Sequence, residues 1–346
     1  MNTHKFSAFK GLLLLLLFPM LSHAQVKPFS VDQLDPVYRA SEAKASPVLK
    51  QVLVQQRKFI ADKKLDFHVA NTQVSELHLK DITGMLQPSA DDKAKAVKVI
   101  SDNEKVINAE LADIIKKLEA TCHTNDKDFD ARNAHIVPDI RDQQCGDCWA
   151  YSSVGALEIS YFKVAKESPS LDLSEKQVVA CSGAGSCSGG WPYLVCDWLT
   201  KSHTRLMDAS QDPDNGQNGP CLPVPKDAHV QLVGWGLVDP AAGLFNIASV
   251  DKIKEAICKY GSVSCAFEAT PLFQNYAGHG VFKETESTTN DPQVNHAIVL
   301  IGWDDSKQAW LLRNSWGTNW GDKGYAWIGF HTNNIGFGAI WEVAKK

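Results

Sequence analysis

The spacing of apolar positions changes several times along the chain. Gly11 to Leu21 is an apolar run holding six consecutive leucines. Residues 36–65 carry apolar residues at helical spacing, with Val48, Val52 and Phe59 on one predicted face and Pro47 interrupting the pattern. Residues 66–79 shift toward alternation at Phe67, Val69, Val74, Leu77 and Leu79, which predicts a strand-like, extended stretch. Residues 90–120 predict one long helix. Val97, Ile100, Ile107, Leu111, Ile114 and Leu118 fall on heptad spacing, interrupted by Glu104. Barely three heptads make a weak free-standing coil, so this stripe is expected to dock on the rest of the chain.

Beyond about residue 125 the pattern divides again. Helical spacing covers Trp149 to Ala165, a segment after Ser174, and Trp191 to Thr200; Ser174 with Gln177 has capping-box spacing. From Val263 the apolar residues alternate in short runs between glycines. Val263 to Phe267, Ala297 to Gly302, Trp310 to Arg313 and Gly324 to Gly329 predict strands. A helical half followed by a β half predicts an α+β fold with a cleft between the halves.

Composition sharpens the division. The 346 residues allow two or three domains, and 44% apolar content supports a full core. Residues 25–120 hold one glycine, Gly84, and no tryptophan, whereas all ten tryptophans lie between Trp149 and Trp341. The net charge of −5, without a dense Lys/Arg stripe, gives no footprint for nucleic acid. Lys5, Lys10, the leucine run and Ser22-His23-Ala24 have the order of a secretory signal, too short to span a bilayer. Cleavage after Ala24 and export, to a periplasm or outside the cell, are expected, with no stable membrane insertion. Nine cysteines, an odd number, then leave at least one thiol unpaired.

The candidate chemistry lies in Asp142-Gln143-Gln144-Cys145-Gly146-Asp147-Cys148-Trp149. A thiolate is the nucleophilic form of cysteine, and the unpaired N–H groups at a helix N-terminus stabilise it. Cys148 opens a predicted helix. Two later segments supply an imidazole and a carboxamide: Val294-Asn295-His296-Ala297-Ile298-Val299 and Arg313-Asn314-Ser315-Trp316-Gly317. The three segments resemble those of the papain and cathepsin cysteine peptidases. In that family His and Asn follow the cysteine by roughly 130 to 150 residues; here His296 and Asn314 follow Cys148 by 148 and 166. Cys187-Ser188-Gly189-Gly190-Trp191-Pro192 resembles the family's cysteine-rich loop beside the substrate cleft. The resemblance covers about residues 128–346.

The resemblance implies a two-lobed papain-like fold, with a helical lobe over about 140–234 and a β lobe over 235–346. Residues 25–123 would be an inhibitory prosegment of helix, extended segment and long helix, acting as an intramolecular inhibitor and cut off between Lys117 and Asp128. Cys148 would be the nucleophile, His296 the base and acid, Asn314 its orienter, and Trp316 the shield of their hydrogen bond. The Cys148 N–H and Gln143 would form the oxyanion hole, although one residue instead of the family's two separates Gln143 from Cys145, which keeps Gln144 in play. Pro192, Ala266, Val294 and Ala297 would line an apolar pocket for the side chain two residues before the scissile bond. Gly189 and Gly190 would pair with substrate backbone. Cys145–Cys187 and Cys181–Cys221 would be bridged; Cys122, Cys196, Cys258 and Cys265 stay open among three pairings, including a short Cys258–Cys265 loop. Peptide or protein substrates, no metal or cofactor, and a monomer complete the expectation.

Asp147 departs from the family, which has a small residue there. Pointing inward, its carboxylate opposes thiolate formation; pointing outward, it is solvated. The prosegment also lacks the spaced Glu/Arg/Phe/Asn pattern of eukaryotic relatives. Two other classes remain in view. Cys145-x-x-Cys148 fits a thiol-disulfide oxidoreductase, but no β-α-β context surrounds it, and His296 and Asn314 would be idle. An inactive papain-like binding protein would not need the complete Cys/His/Asn set. A zinc site lacks ligands at a second suitable spacing.

Overall fold

The computed structural model describes residues 29–105, 109–228 and 230–346. The expected signal segment and Ile107 lie outside the described residues. Helices α1 (Pro36–Lys44) and α2 (Pro47–Asp62) begin where Asp35 and Ser46 accept hydrogen bonds from backbone N–H groups. Pro47 thus starts a helix: at its first turn the missing N–H costs nothing. The buried face of α2 is Leu49, Leu53, Arg57, Ile60 and Ala61, while Val48 is 71% exposed. The predicted face is therefore the wrong one. Arg57 is buried because its guanidinium pairs with Glu42 of α1 and donates to the Val69 carbonyl at 3.0 Å.

An extended but irregular stretch follows, bridged only where Val69 meets Tyr276, and residues 73–76 are turn, so the strand expected over 66–79 does not form. Helices α3 (Ala90–Lys105) and α4 (Ala109–Lys117) come next. Ala96 and Leu111 are buried while Val97 is 69% exposed, so the docking stripe is displaced from the heptad positions at its start.

The remaining part of the chain contains β1 (Asp128–Asp130), α5 (Cys148–Ala165), α6 (Glu175–Cys181), β2 (Gly185–Ser186), β3 (Gly189–Gly190), α7 (Pro192–Ser202), β4 (Arg205–Leu206) and β5 (Val230–Leu237). It continues through α8 (Val250–Tyr260), β6 (Val263–Phe267), α9 (Pro271–Gln274), β7 (Val281–Phe282), β8 (His296–Asp304), β9 (Ala309–Arg313), β10 (Tyr325–Gly329) and β11 (Phe337–Lys345). One sheet runs β4-β5-β11-β6-β8-β9-β10-β7, with β1 on β8 and only β10–β7 parallel among its pairings. Mostly antiparallel strands with segregated helices make an α+β fold. α5 is buried along nearly its whole length, and it packs on β8 and β11. One core forms around α5, α7 and β5; a second, aromatic core joins α8 and β8–β10 to the α1–α2 segment.

Cys145 is bridged to Cys187, Cys181 to Cys221, and Cys122 to Cys258. Cys148, Cys196 and Cys265 are free and buried, so the short Cys258–Cys265 loop does not form. No helix among the described residues is long and apolar enough to cross a membrane.

Candidate active site

The site lies where α5 starts and the β8–β9 pair ends. Cys148 is the first residue of α5. Strands β8 and β9 are antiparallel neighbours, with Val299 opposite Arg313. His296 at the start of β8 and Asn314 just after β9 therefore meet at the same end of the pair. His296 Nε2 lies 2.8 Å from Asn314 Oδ1, and because that oxygen only accepts, Nε2 carries the proton and donates. Nδ1 has no partner among the described residues and is free to act as a base. The Ala297 N–H, next in chain to His296, donates to Cys148 Sγ at 3.4 Å. The Trp316 ring stacks on the imidazole with centroids 4.5 Å apart, which keeps water from the His–Asn bond.

Gln143 and Gln144 separate cleanly. Gln144 is exposed and donates to the Asp142 carbonyl. Gln143 is buried: its N–H donates to the Ser315 carbonyl at 2.8 Å, and its Oε1 accepts from Ser315 Oγ at 2.6 Å. Both contacts tie it to the residue after Asn314. Its Nε2 donates to the carbonyls of Cys145 and Ile82.

Ile82 belongs to the expected prosegment, just beyond the extended stretch predicted over 66–79. Its carbonyl also accepts from Trp316 Nε1 at 3.1 Å. The Gly84 N–H donates to Cys148 Sγ at 3.1 Å, the Gly84 carbonyl accepts from Gly190 N–H at 2.9 Å, and Met85 N–H donates to the Asn295 carbonyl at 2.8 Å. Gln87 Nε2 donates to the Val294 carbonyl. Residues 82–87 thus cross the site as a strand, paired parallel with Gly190 through Met85. Leu86 packs over Gly189, where a β-carbon would sit 2.5 Å from the Leu86 side chain. Met85 shares one buried cluster with Ala266, Val294, Ala297 and Phe337, and Pro192 is buried at the start of α7. The pattern of apolar residues did not single out these covering residues. The available signal was Gly84, the one glycine in its stretch.

Covering dries the thiol and the imidazole. Burial pushes the Cys148 thiol up to about 12 despite the N–H groups of Ala297 and Gly84. Burial likewise lowers His296 to about 4, against the Asn314 hydrogen bond. Thiol and imidazole are therefore both neutral under the cover. Of the two orientations open for Asp147, the inward one is found: it is fully buried, and neither oxygen has a partner from another residue among those described. Burial first, then Asp214, raises it to about 8, with Lys176 opposing.

Two alternatives lose their geometry here. Cys145 is bonded to Cys187 while Cys148 is a free thiol, so the C-x-x-C is not a dithiol pair. One His/Cys/Asp/Glu group among the described residues has metal-like spacing, Cys145, Asp147 and Cys187, but its two sulfurs are bonded to each other.

Comparison with known proteins adds the family. Residues 125–340 match the profile described as papain family cysteine protease. Pro-cathepsin H of Medicago truncatula is 34% identical over 202 residues, covering 57% of this chain and 55% of that one. Cathepsin O of Homo sapiens is 34% identical over 212 residues, covering 60% and 62%. These alignments span little more than half the length of the curated relatives. The solved structure of a digestive procathepsin L2 proteinase from the larval midgut of Tenebrio molitor superposes with a TM-score of 0.65 over 89% of this chain and 92% of that one. At 22% identity this likeness is one of fold.

Proposed function

This chain belongs to the papain family of cysteine proteases, and from that premise we propose that it is a cysteine endopeptidase made as an exported zymogen. The observation that carries the reading is the juxtaposition of a free thiol at a helix N-terminus with the hydrogen-bonded His296–Asn314 pair. When the cleft is open, His296 Nδ1 takes the Cys148 proton, and the thiolate–imidazolium pair forms at the positive end of α5. The sulfur attacks the carbonyl carbon of the scissile bond. The developing oxyanion accepts hydrogen bonds from the Cys148 N–H and Gln143 Nε2; one donor of this kind is worth about 2.7 to 4 kcal/mol. His296 then protonates the leaving amine, leaving an acyl-enzyme. Water, deprotonated by His296, hydrolyses that thioester and restores the thiol. Asn314 holds the imidazole in the tautomer that this sequence needs, and Trp316 keeps their bond dry.

Gly189 and Gly190 would pair with the substrate backbone. Pro192, Ala266, Val294 and Ala297 would receive an apolar side chain two residues before the cut. Residues 82–87 would act as inhibitor: they occupy the positions that substrate needs, and a prosegment carbonyl, that of Ile82, takes the Gln143 amide. Three disulfides among the described residues support the reading of export to an oxidising compartment. The test is cleavage of a peptide library by the processed protein, with Cys148→Ser as control. Turnover that survives in the serine variant would remove the mechanism.

A further inference from the structure

The N-terminal segment is two parts with different attachments. Residues 82–87 supply the contacts to Cys148, Gln143, Gly190 and Trp316 described above. Helices α3 and α4 are bound elsewhere, on β5 and β11. Ala96 is buried in the core that contains α5 and α7. Asn103 Nδ2 donates to the Trp235 carbonyl at 2.8 Å. Leu111 fills the space left by Gly234, where a β-carbon would lie 2.4 Å from it, and clusters with Val233 and Val343. Glu110 is ion-paired with Lys345. After α4, Leu118 and Cys122 are buried, Thr121 N–H donates to the Cys258 carbonyl at 3.0 Å, and Cys122 is bonded to Cys258 of α8.

We propose that the activating cut falls between Met85 and Lys93, and that α3 and α4 stay on the body of the active enzyme, held by the Cys122–Cys258 bridge. This rests on the zymogen reading above. Opening the cleft requires release of Ile82 and Gly84, which contact Gln143, Trp316 and Cys148, and of nothing in α3 or α4. The connector is accessible: Leu86, Gln87, Ser89, Ala90, Asp91 and Lys93 are exposed. It ends where α3 begins, fixed by the reciprocal Ser89–Asp92 hydrogen bonds. One peptide bond is hydrolysed there by a second molecule of this enzyme or another endopeptidase, water giving the new carboxylate and amine. Residues up to the cut are then held only by noncovalent contacts and can leave.

The stretch after Cys122, His123–Lys127, behaves differently. Asp126 accepts from Trp303 Nε1 at 3.1 Å, and the Lys127 carbonyl accepts from Asp305 N–H at 2.8 Å. A cut there alone leaves α3, α4 and the covering strand attached through the disulfide, and rebinding of a tethered strand is intramolecular. On this proposal the functional boundary lies at residues 86–93, ahead of the composition break near residue 123. Gly234 leaves room for Leu111 of α4, and the bridge that holds the end of this segment persists in an oxidising compartment.

The experiment is to activate the full-length protein, label it with a biotinylated epoxide directed at Cys148, and weigh the labelled molecules intact without reduction, with N-terminal sequencing. The expected labelled species begins between residues 86 and 93 and includes everything through Cys122. A labelled species whose unreduced mass lacks residues 94–122 overturns the inference while leaving the peptidase reading intact. Absence of labelling under all activation conditions removes the peptidase reading, and this inference with it. In Cys122→Ser, made alongside, the fraction of labelled molecules retaining α3–α4 through any second cut at 123–127 should fall; unchanged retention with a second cut present would overturn the role of the bridge.

Discussion

Gly84 and Gly146 meet so closely that a β-carbon on Gly84 would lie 1.7 Å from the Gly146 carbonyl oxygen. No side chain fits without moving the covering strand, because the obstacle is backbone of the nucleophile loop. Gly84→Ala should therefore loosen the cover and weaken the Gly84 N–H bond to Cys148 Sγ, while leaving the side chains of Cys148, His296 and Asn314 unchanged. Overpacking of this sort costs about 1 to 3 kcal/mol, which corresponds to roughly 5- to 150-fold more open zymogen. Peptide turnover by uncleaved full-length protein should rise accordingly. Turnover equal to that of the unmodified zymogen would show that this contact does not hold the cleft shut.

His296→Ala should lose nearly all turnover, since general acid–base transfer is worth roughly 10²- to 10⁴-fold. Asn314→Ala should keep more, because it only frees the imidazole to rotate. The double variant should be little worse than His296→Ala, as expected for groups acting as a unit. Additive losses in kcat/KM would argue against a shared role.

Asp147 gives a pH test. The folded protein holds its proton to about pH 8, whereas an unfolded aspartate releases it near pH 4. Between these values the folded state binds more protons, so stability falls as pH rises. Glu158 and Glu342, raised to about 7 and about 8 chiefly by burial, act in the same direction. The readout is thus the difference between wild type and Asp147→Asn in urea unfolding at pH 5 and pH 8. The variant should be the more stable at pH 8 by on the order of a few kcal/mol, because asparagine does not ionise and each pH unit over which only the folded aspartate keeps its proton costs about 1.4 kcal/mol, and the gap should shrink at pH 5. Parallel pH profiles would place Asp147 in solvent.

The apolar character of Ala266, Val294 and Ala297 predicts specificity. Burying a Leu, Val or Phe side chain among them gains about 1.5 to 3 kcal/mol, whereas an unpaired charge loses its hydration. A positional-scanning library should show an apolar preference of roughly 10- to 150-fold two residues before the cut. A preference for Arg or Asp there would mean a different pocket.

The α+β order was legible because it depends on local spacing, and the three motif segments because they resemble those of a known family. Strands β6, β8, β9 and β10 and helices α5 to α7 follow their patterns closely. Side-chain direction was not legible where tertiary contacts decide it. α2 turns its Arg57 face inward because Glu42 of a neighbouring helix neutralises it. α3 presents Ala96 instead of Val97 because it packs close to the body. Gln143 differs from Gln144 through burial and through contacts to Ser315 and Ile82, both distant in sequence. The partner of Cys122 is likewise set by where α8 lies relative to the end of α4.

The most direct test of the account is the rate at which an epoxide-type inhibitor labels Cys148 in full-length and processed protein at one mildly acidic pH. Under the cover the thiol is raised to about 12 and the imidazole lowered to about 4, so neither ion is present. Opening the cleft restores hydration and lets the pair ionise. Each unit by which the thiol falls gives about ten times more thiolate. The account predicts labelling at Cys148 at least about a hundredfold faster after processing. Equal rates before and after processing, or label found on Cys196 or Cys265 instead, would contradict it.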